Sequence, residues 1–161
     1  MLIFAVFLYA AAIVTANYLV SIFGPSVTPI NAFVFIGFDL ALRNWLNLQL
    51  TKWQMAAMIF GTGAISYLLN DTMQTIAIAS AVAFTLASLV DWLVFNKVKG
   101  EWVKKANISN IAGAMVDSIA FPTIAFGVLM PEIVLLQFLA KVFGGFVWTL
   151  VLNKIPQKAY K

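Results

Sequence analysis

Apolar runs of roughly bilayer-spanning length, separated by short breaks, recur along the chain from residue 2 to residue 153. A helix needs about 20 largely apolar residues to cross the hydrocarbon core. Six stretches qualify, some by tolerating an internal charge: 2–22, 30–50, 53–70, 73–96, 107–129 and 132–153. The breaks carry turn residues, with Gly24, Pro25 and Pro29 after the first run, Asn70 and Asp71 after the third and Pro131 after the fifth. Alternation with a period of two is nowhere sustained, which disfavours a barrel of strands. The first run has no basic flank and no convincing cleavage site, so it is expected to be a retained helix and not a signal peptide. The pattern predicts an all-α integral membrane protein, a six-transmembrane-helix bundle forming a single transmembrane domain over residues 1–161.

Composition agrees and removes several chemistries. Of 161 residues, 63% are hydrophobic and only 10% charged, with a mean hydropathy of +0.96. A water-soluble domain needs about a quarter of its residues charged, so lipid is the expected surroundings. Without Cys or His there is no thiol nucleophile, no disulfide and no imidazole base or ligand, so neither a cofactor nor a metal site is expected. No glycine-rich loop ends in Gly-Lys-Ser or Gly-Lys-Thr, so the chain carries no phosphate cradle of that type.

The net charge of +4 reports topology and not nucleic acid. With six spans and an internal N-terminus, Lys52, Lys97, Lys99, Lys104, Lys105, Lys154, Lys158 and Lys161 all fall on one side, while the opposite loops hold only Asp71 and Glu132. The positive-inside rule then puts both termini in the cytoplasm. The glycosylation pattern Asn107-Ile108-Ser109 lies on that cytoplasmic side and is discounted.

Five ionisable residues lie inside the runs: Asp39, Arg43, Asp91, Asp117 and Lys141. Each costs about 2.5–3.5 kcal/mol at a helix centre unless it faces a bundle interior or water. Helical spacing groups Phe35, Asp39, Arg43 and Asn47 on one stripe, and Asn110, Gly113, Asp117 and Phe121 on another. Ser88, Asp91 and Phe95 form a third, Gln137, Lys141, Gly144 and Trp148 a fourth, and Asn17 and Ser21 come from the first run. Such stripes are expected to converge on a pocket that mixes stacking surfaces with hydrogen-bonding groups. Asp39 and Arg43 alternatively neutralise each other, and Lys141 neutralises Asp91 or Asp117, as structural glue. Three carboxylates against two cations nevertheless leave one without a charge partner. Asp117 is the strongest single candidate, and Pro122, a little beyond it, is expected to free a backbone carbonyl in the fifth run. Small residues such as Gly61, Gly63, Gly113, Gly144 and Gly145 fit close helix packing.

The segments SLVDWLVF and AMVDSIAF repeat one pattern around Asp91 and Asp117. Together with TANYLVSIFG, TPINAFVFIGFDLALRNWL and NISNIAGAMVDSIAFPTIAF, they resemble the vitamin uptake transporter family, which includes queuosine precursor transporters, over residues 15 to 145. The resemblance implies an importer of 7-deazaguanine bases with six helices, similar in fold to the substrate-binding subunits of energy-coupling-factor transporters. It places Asn17, Asp39, Asp91 and Asp117 on the family's motif positions. Two positions depart from it: Arg43 stands where the family usually has an acidic residue, and Ala114 where it often has glutamine.

The expected function is therefore transport of a small planar nitrogen heterocycle across the cell inner membrane. Its expected site comprises Asn17, Phe35, Asp39, Arg43, Asp91, Asp117, Phe121, Gln137, Lys141 and Trp148. The expected partners are that substrate and the lipid bilayer, not nucleic acid, and a homodimer is compatible with everything above. Transport of another vitamin or nucleobase, or a non-transporting accessory subunit, are the competing readings. An enzyme is disfavoured, since only aspartates are left to serve as catalytic groups.

Overall fold

A computed structural model describes residues 2–69 and 74–155. The Asn70-Asp71 turn and the tail lysines Lys158 and Lys161 lie outside the described residues. Those described form helices α1 (Leu2–Phe23), α2 (Thr28–Asn31), α3 (Gly37–Asn47), α4 (Lys52–Leu69), α5 (Gln74–Lys97), α6 (Trp102–Phe126) and α7 (Pro131–Leu152), with no strand among them. A 3-10 turn, Gly24–Val27, joins α1 to α2, and a π-helical turn, Ala32–Ile36, joins α2 to α3.

The first two expected spans are thus one unbroken helical run, Leu2–Asn47, and the described chain has five runs where six separate spans are expected. The prolines explain the missing break. Pro25 and Pro29 each occupy the first turn of a helical segment, where a lost N–H costs nothing and φ is already helical. Gly24, at φ +66°, supplies the change of direction. A straight run of 46 residues would be about 69 Å long. Instead it folds back, and the Asn31 side chain donates to the Ala16 carbonyl at 2.9 Å.

Four runs are long and apolar enough to cross a membrane: Leu2–Asn47, Gln74–Lys97, Trp102–Phe126 and Pro131–Leu152. Helix α4 is not among them, because Lys52, Gln54, Thr62 and two glycines dilute its apolar residues. At the break before α7 the expected Pro131 starts the helix, and Gly127 caps α6 at φ +70°. Pro122 sits within α6 without interrupting it.

The distribution of polarity is inverted relative to a water-soluble protein. Asp39, Arg43, Asn44, Asp91, Gln137 and Lys141 are buried, whereas Ile3, Phe7, Ile22, Phe60, Leu89, Leu135 and Phe143 are exposed. Helix α3 is the central element, with every residue from 39 to 46 buried. Around it, α5 and α6 pack as a hairpin, and α7 lies against α3 and the π turn. That last contact is backbone on backbone. A Cβ on Gly37 would meet the Gly144 backbone at 2.7 Å, and one on Gly144 would collide with the Phe33 carbonyl. Close approach through glycine lets dispersion hold helices together where lipid offers no hydrophobic drive.

Candidate functional site

The buried polar residues gather into two clusters, one toward each end of the bundle. At the end where Ala5, Trp45, Leu46, Trp102 and Leu152 pack together, α3 delivers Arg43 and Asn44. Arg43 donates from Nη1 to Ser88 Oγ at 2.5 Å, its Nε lies 3.9 Å from Asp91 Oδ2, and its guanidinium covers the Phe84 ring at 4.8 Å. Asn44 Nδ2 donates to Asn110 Oδ1 at 2.8 Å, with Ser109 Oγ at 3.4 Å and Asp91 Oδ1 at 3.5 Å. One guanidinium and one amide therefore tie α3 to both α5 and α6. Gly113 makes room for this arrangement, since a Cβ there would stand 3.3 Å from the Asp91 side chain.

Toward the other end, Lys141 of α7 is the hub. Its Nζ lies 2.7 Å from Asp117 Oδ2 and donates to Gln137 Oε1 at 2.9 Å and Ser118 Oγ at 3.2 Å. Asp117 retains 14% of its side-chain exposure while Lys141 retains 2%. A cavity of about 30 Å³ adjoins the pair, bordered also by Asn17, Asn31, Phe84, Phe121 and Gln137. Gln137 Nε2 is buried with no acceptor.

Asp39 belongs to neither cluster. It is fully buried one helical turn before Arg43; neither carboxylate oxygen meets strict hydrogen-bond geometry, the Tyr9 hydroxyl faces it as a loose donor, and Arg43, Asp91 and Asp117 act on it electrostatically. With Arg43 turned to Asp91 and Lys141 to Asp117, Asp39 is the carboxylate left over by the count of three against two. Burying an acceptor without a donor costs about 1–3 kcal/mol, more for a charged group.

The stripes are met unevenly. Asn17, Asp117, Phe121, Gln137 and Lys141 border the small cavity. Arg43 and Asp91 pair instead in the first cluster and border a larger cavity, of about 370 Å³, between α3, α4 and α5. Asp39, Phe35 and Trp148 border neither, and Trp148 packs edge-on against Phe38 at 4.9 Å. Phe35 lies within the π turn, whose Ala32 and Ile36 border the small cavity.

Asn44, Asn31 and Phe84 escape the stripe reading. A stripe assumes a helix with one polar face, whereas α3 is enclosed on all sides and uses adjacent residues in different directions. The signal available was the consecutive pair Arg43-Asn44 inside an apolar run. Among the described residues, no three His, Cys, Asp or Glu side chains come together to hold a metal ion.

A family model described as "Putative vitamin uptake transporter" matches residues 4–154. No curated protein and no solved structure matches the chain.

Proposed function

Because this chain belongs to the vitamin uptake transporter family, we propose that it imports a small planar nitrogen heterocycle, a queuosine precursor of the 7-cyano- or 7-aminomethyl-7-deazaguanine type. The observation that carries the reading is the partly exposed Asp117 carboxylate and the unused Gln137 Nε2 donor at the edge of one small cavity, with the Asp39 carboxylate buried behind them. A deazaguanine offers adjacent N–H donors on one edge, and a carboxylate accepts two such bonds side by side. Asp39 or Asp117 takes that role, Gln137 Nε2 donates to the ring carbonyl, and Phe84 and Phe121 give the ring faces to stack on.

The cavity has room for about one water molecule, not a bicyclic ring. Loading therefore requires helices to part, as transport itself does. In this reading the Leu2–Asn47 run crosses twice and α4 once, giving six crossings of the cell membrane with both termini cytoplasmic, in an arrangement similar to the substrate-binding subunits of energy-coupling-factor transporters. The protein moves its ligand without altering it.

The test is rescue of queuosine in the tRNA of cells that lack both its synthesis and their own importer, supplied with either base. Rescue by this protein, lost in Asp117→Asn at equal membrane abundance, supports substrate and site together. No rescue by a well-expressed protein overturns the substrate and leaves family membership untouched.

A further inference from the structure

The cavity of about 370 Å³ is more than ten times the volume of the one beside Lys141, and the proposed transport role does not use it. Its walls are the facing sides of α4, with Lys52, Met55, Ala56, Ile59 and Phe60, and α5, with Ser88, Leu89 and Trp92. Arg43 and Asp91 form its floor. A further cavity of about 230 Å³ continues it along the same two helices and shares Ile59, Phe60 and Thr85 with it. Positions 52, 55, 56, 59, 60, 63, 64 and 67 of α4 follow helical spacing, so the two cavities form one furrow down a single face of α4.

We infer that the Lys52 half of this furrow is a binding site for one anionic phospholipid, with an acyl chain lying between α4 and α5 and the phosphate at Lys52. Three observations carry it. The wall is largely apolar, with Thr85 and Ser88 its polar members on α5, and Phe60, Leu89 and Trp92 are exposed. The charge is confined to one end, where Lys52 is held 5.3 Å over the Trp92 ring and Arg43 stands behind it, against the single carboxylate of Asp91. The continuation toward Tyr67 borders no cation. Depth agrees as well. From Lys52 to Phe60 is about 12 Å of helix, close to the roughly 15 Å of one leaflet's hydrocarbon. Exposed Trp53 and Trp92 near Lys52 mark the level where indole rings settle at the headgroups.

The site is independent of the transported substrate, so an uptake assay neither supports nor harms it. The test is native mass spectrometry of the purified full chain titrated with phosphatidylglycerol or with phosphatidylcholine bearing the same acyl chains. One phosphatidylglycerol is expected to be retained in preference to phosphatidylcholine. Lys52→Glu is expected to remove at least the roughly 5-fold preference that one lysine at an anionic headgroup contributes, while phosphatidylcholine binding stays unchanged. Lys97→Glu, at the exposed end of α5 outside the furrow, is the control and should change nothing. Equal retention of the two lipids, an unaltered preference in Lys52→Glu, or an equal loss in Lys97→Glu would each overturn the assignment. So would a lipid-free dimer whose subunits bury Phe60 and Leu89 against each other.

Discussion

The Arg43 and Lys141 clusters are built from the same parts, a cation of one helix beside a carboxylate of another, yet they are finished differently. The Arg43 cluster draws on three helices and includes the Asn44 amide, which reaches Ser109, Asn110 and Asp91. Around Lys141 the ion pair is shorter, but it edges a cavity, its carboxylate is partly exposed, and Gln137 keeps an unused donor. One cluster joins three helices, although Arg43 Nε and Nη2 and Asn110 Nδ2 have no acceptor in it. The other sets a partly exposed carboxylate and an unused amide donor side by side at one small cavity, and such a pair is where a ligand has most to offer.

Arg43→Ala tests that division most severely. It leaves Asp91 buried without its cation, and breaking such a pair costs about 3–5 kcal/mol, so unfolding in detergent should show a protein near collapse. Asp117→Asn should act mainly on transport, reducing uptake about 100-fold through loss of a charged acceptor, with a smaller loss of stability than Arg43→Ala because Gln137 and Ser118 still accept from the buried Lys141. A large drop in its stability would mean that both clusters are glue. Asn44→Ala removes a shared donor and should cost about 1–2 kcal/mol of stability, with transport by the folded fraction preserved. The smallest structural effect is expected from Asp39→Asn. A carboxamide of the same shape relieves an uncompensated acceptor, so stability should stay within about 1 kcal/mol of the native chain. Substrate binding should weaken, as isothermal titration would show. Strong destabilisation by Asp39→Asn would reveal a structural partner for this carboxylate and remove it from the site.

The sequence made some of this legible and hid the rest for physical reasons. Long apolar runs announce helices in lipid because every backbone group must be satisfied internally, and the intramembrane charges stand out because they are costly. Charge counting likewise anticipates a carboxylate left over. Pairing was another matter: Asp39 and Arg43, four apart on one helix, look like natural partners, but Arg43 reaches across to Asp91. The π turn has no signature in AFVFI, so nothing there showed that Ala32 and Ile36, and not Phe35, border the small cavity. Gly24 and the two prolines do mark a reversal, but prolines in a first helical turn let the helix resume at once, so the turn leaves no gap between the first two runs.

Consider finally the seam where Gly37 and Gly144 bring α3 and α7 into backbone contact. Most helix contacts can be weakened by degrees, trimming one methyl at a time. This one has nothing to trim, since both residues already lack a side chain. Every substitution at Gly144 is a wedge driven toward the Phe33 carbonyl, so the joint answers mutation in one direction only. That one-sidedness makes Gly144→Ala a tool for prising α7 from the π turn and propping the wall of the small cavity ajar.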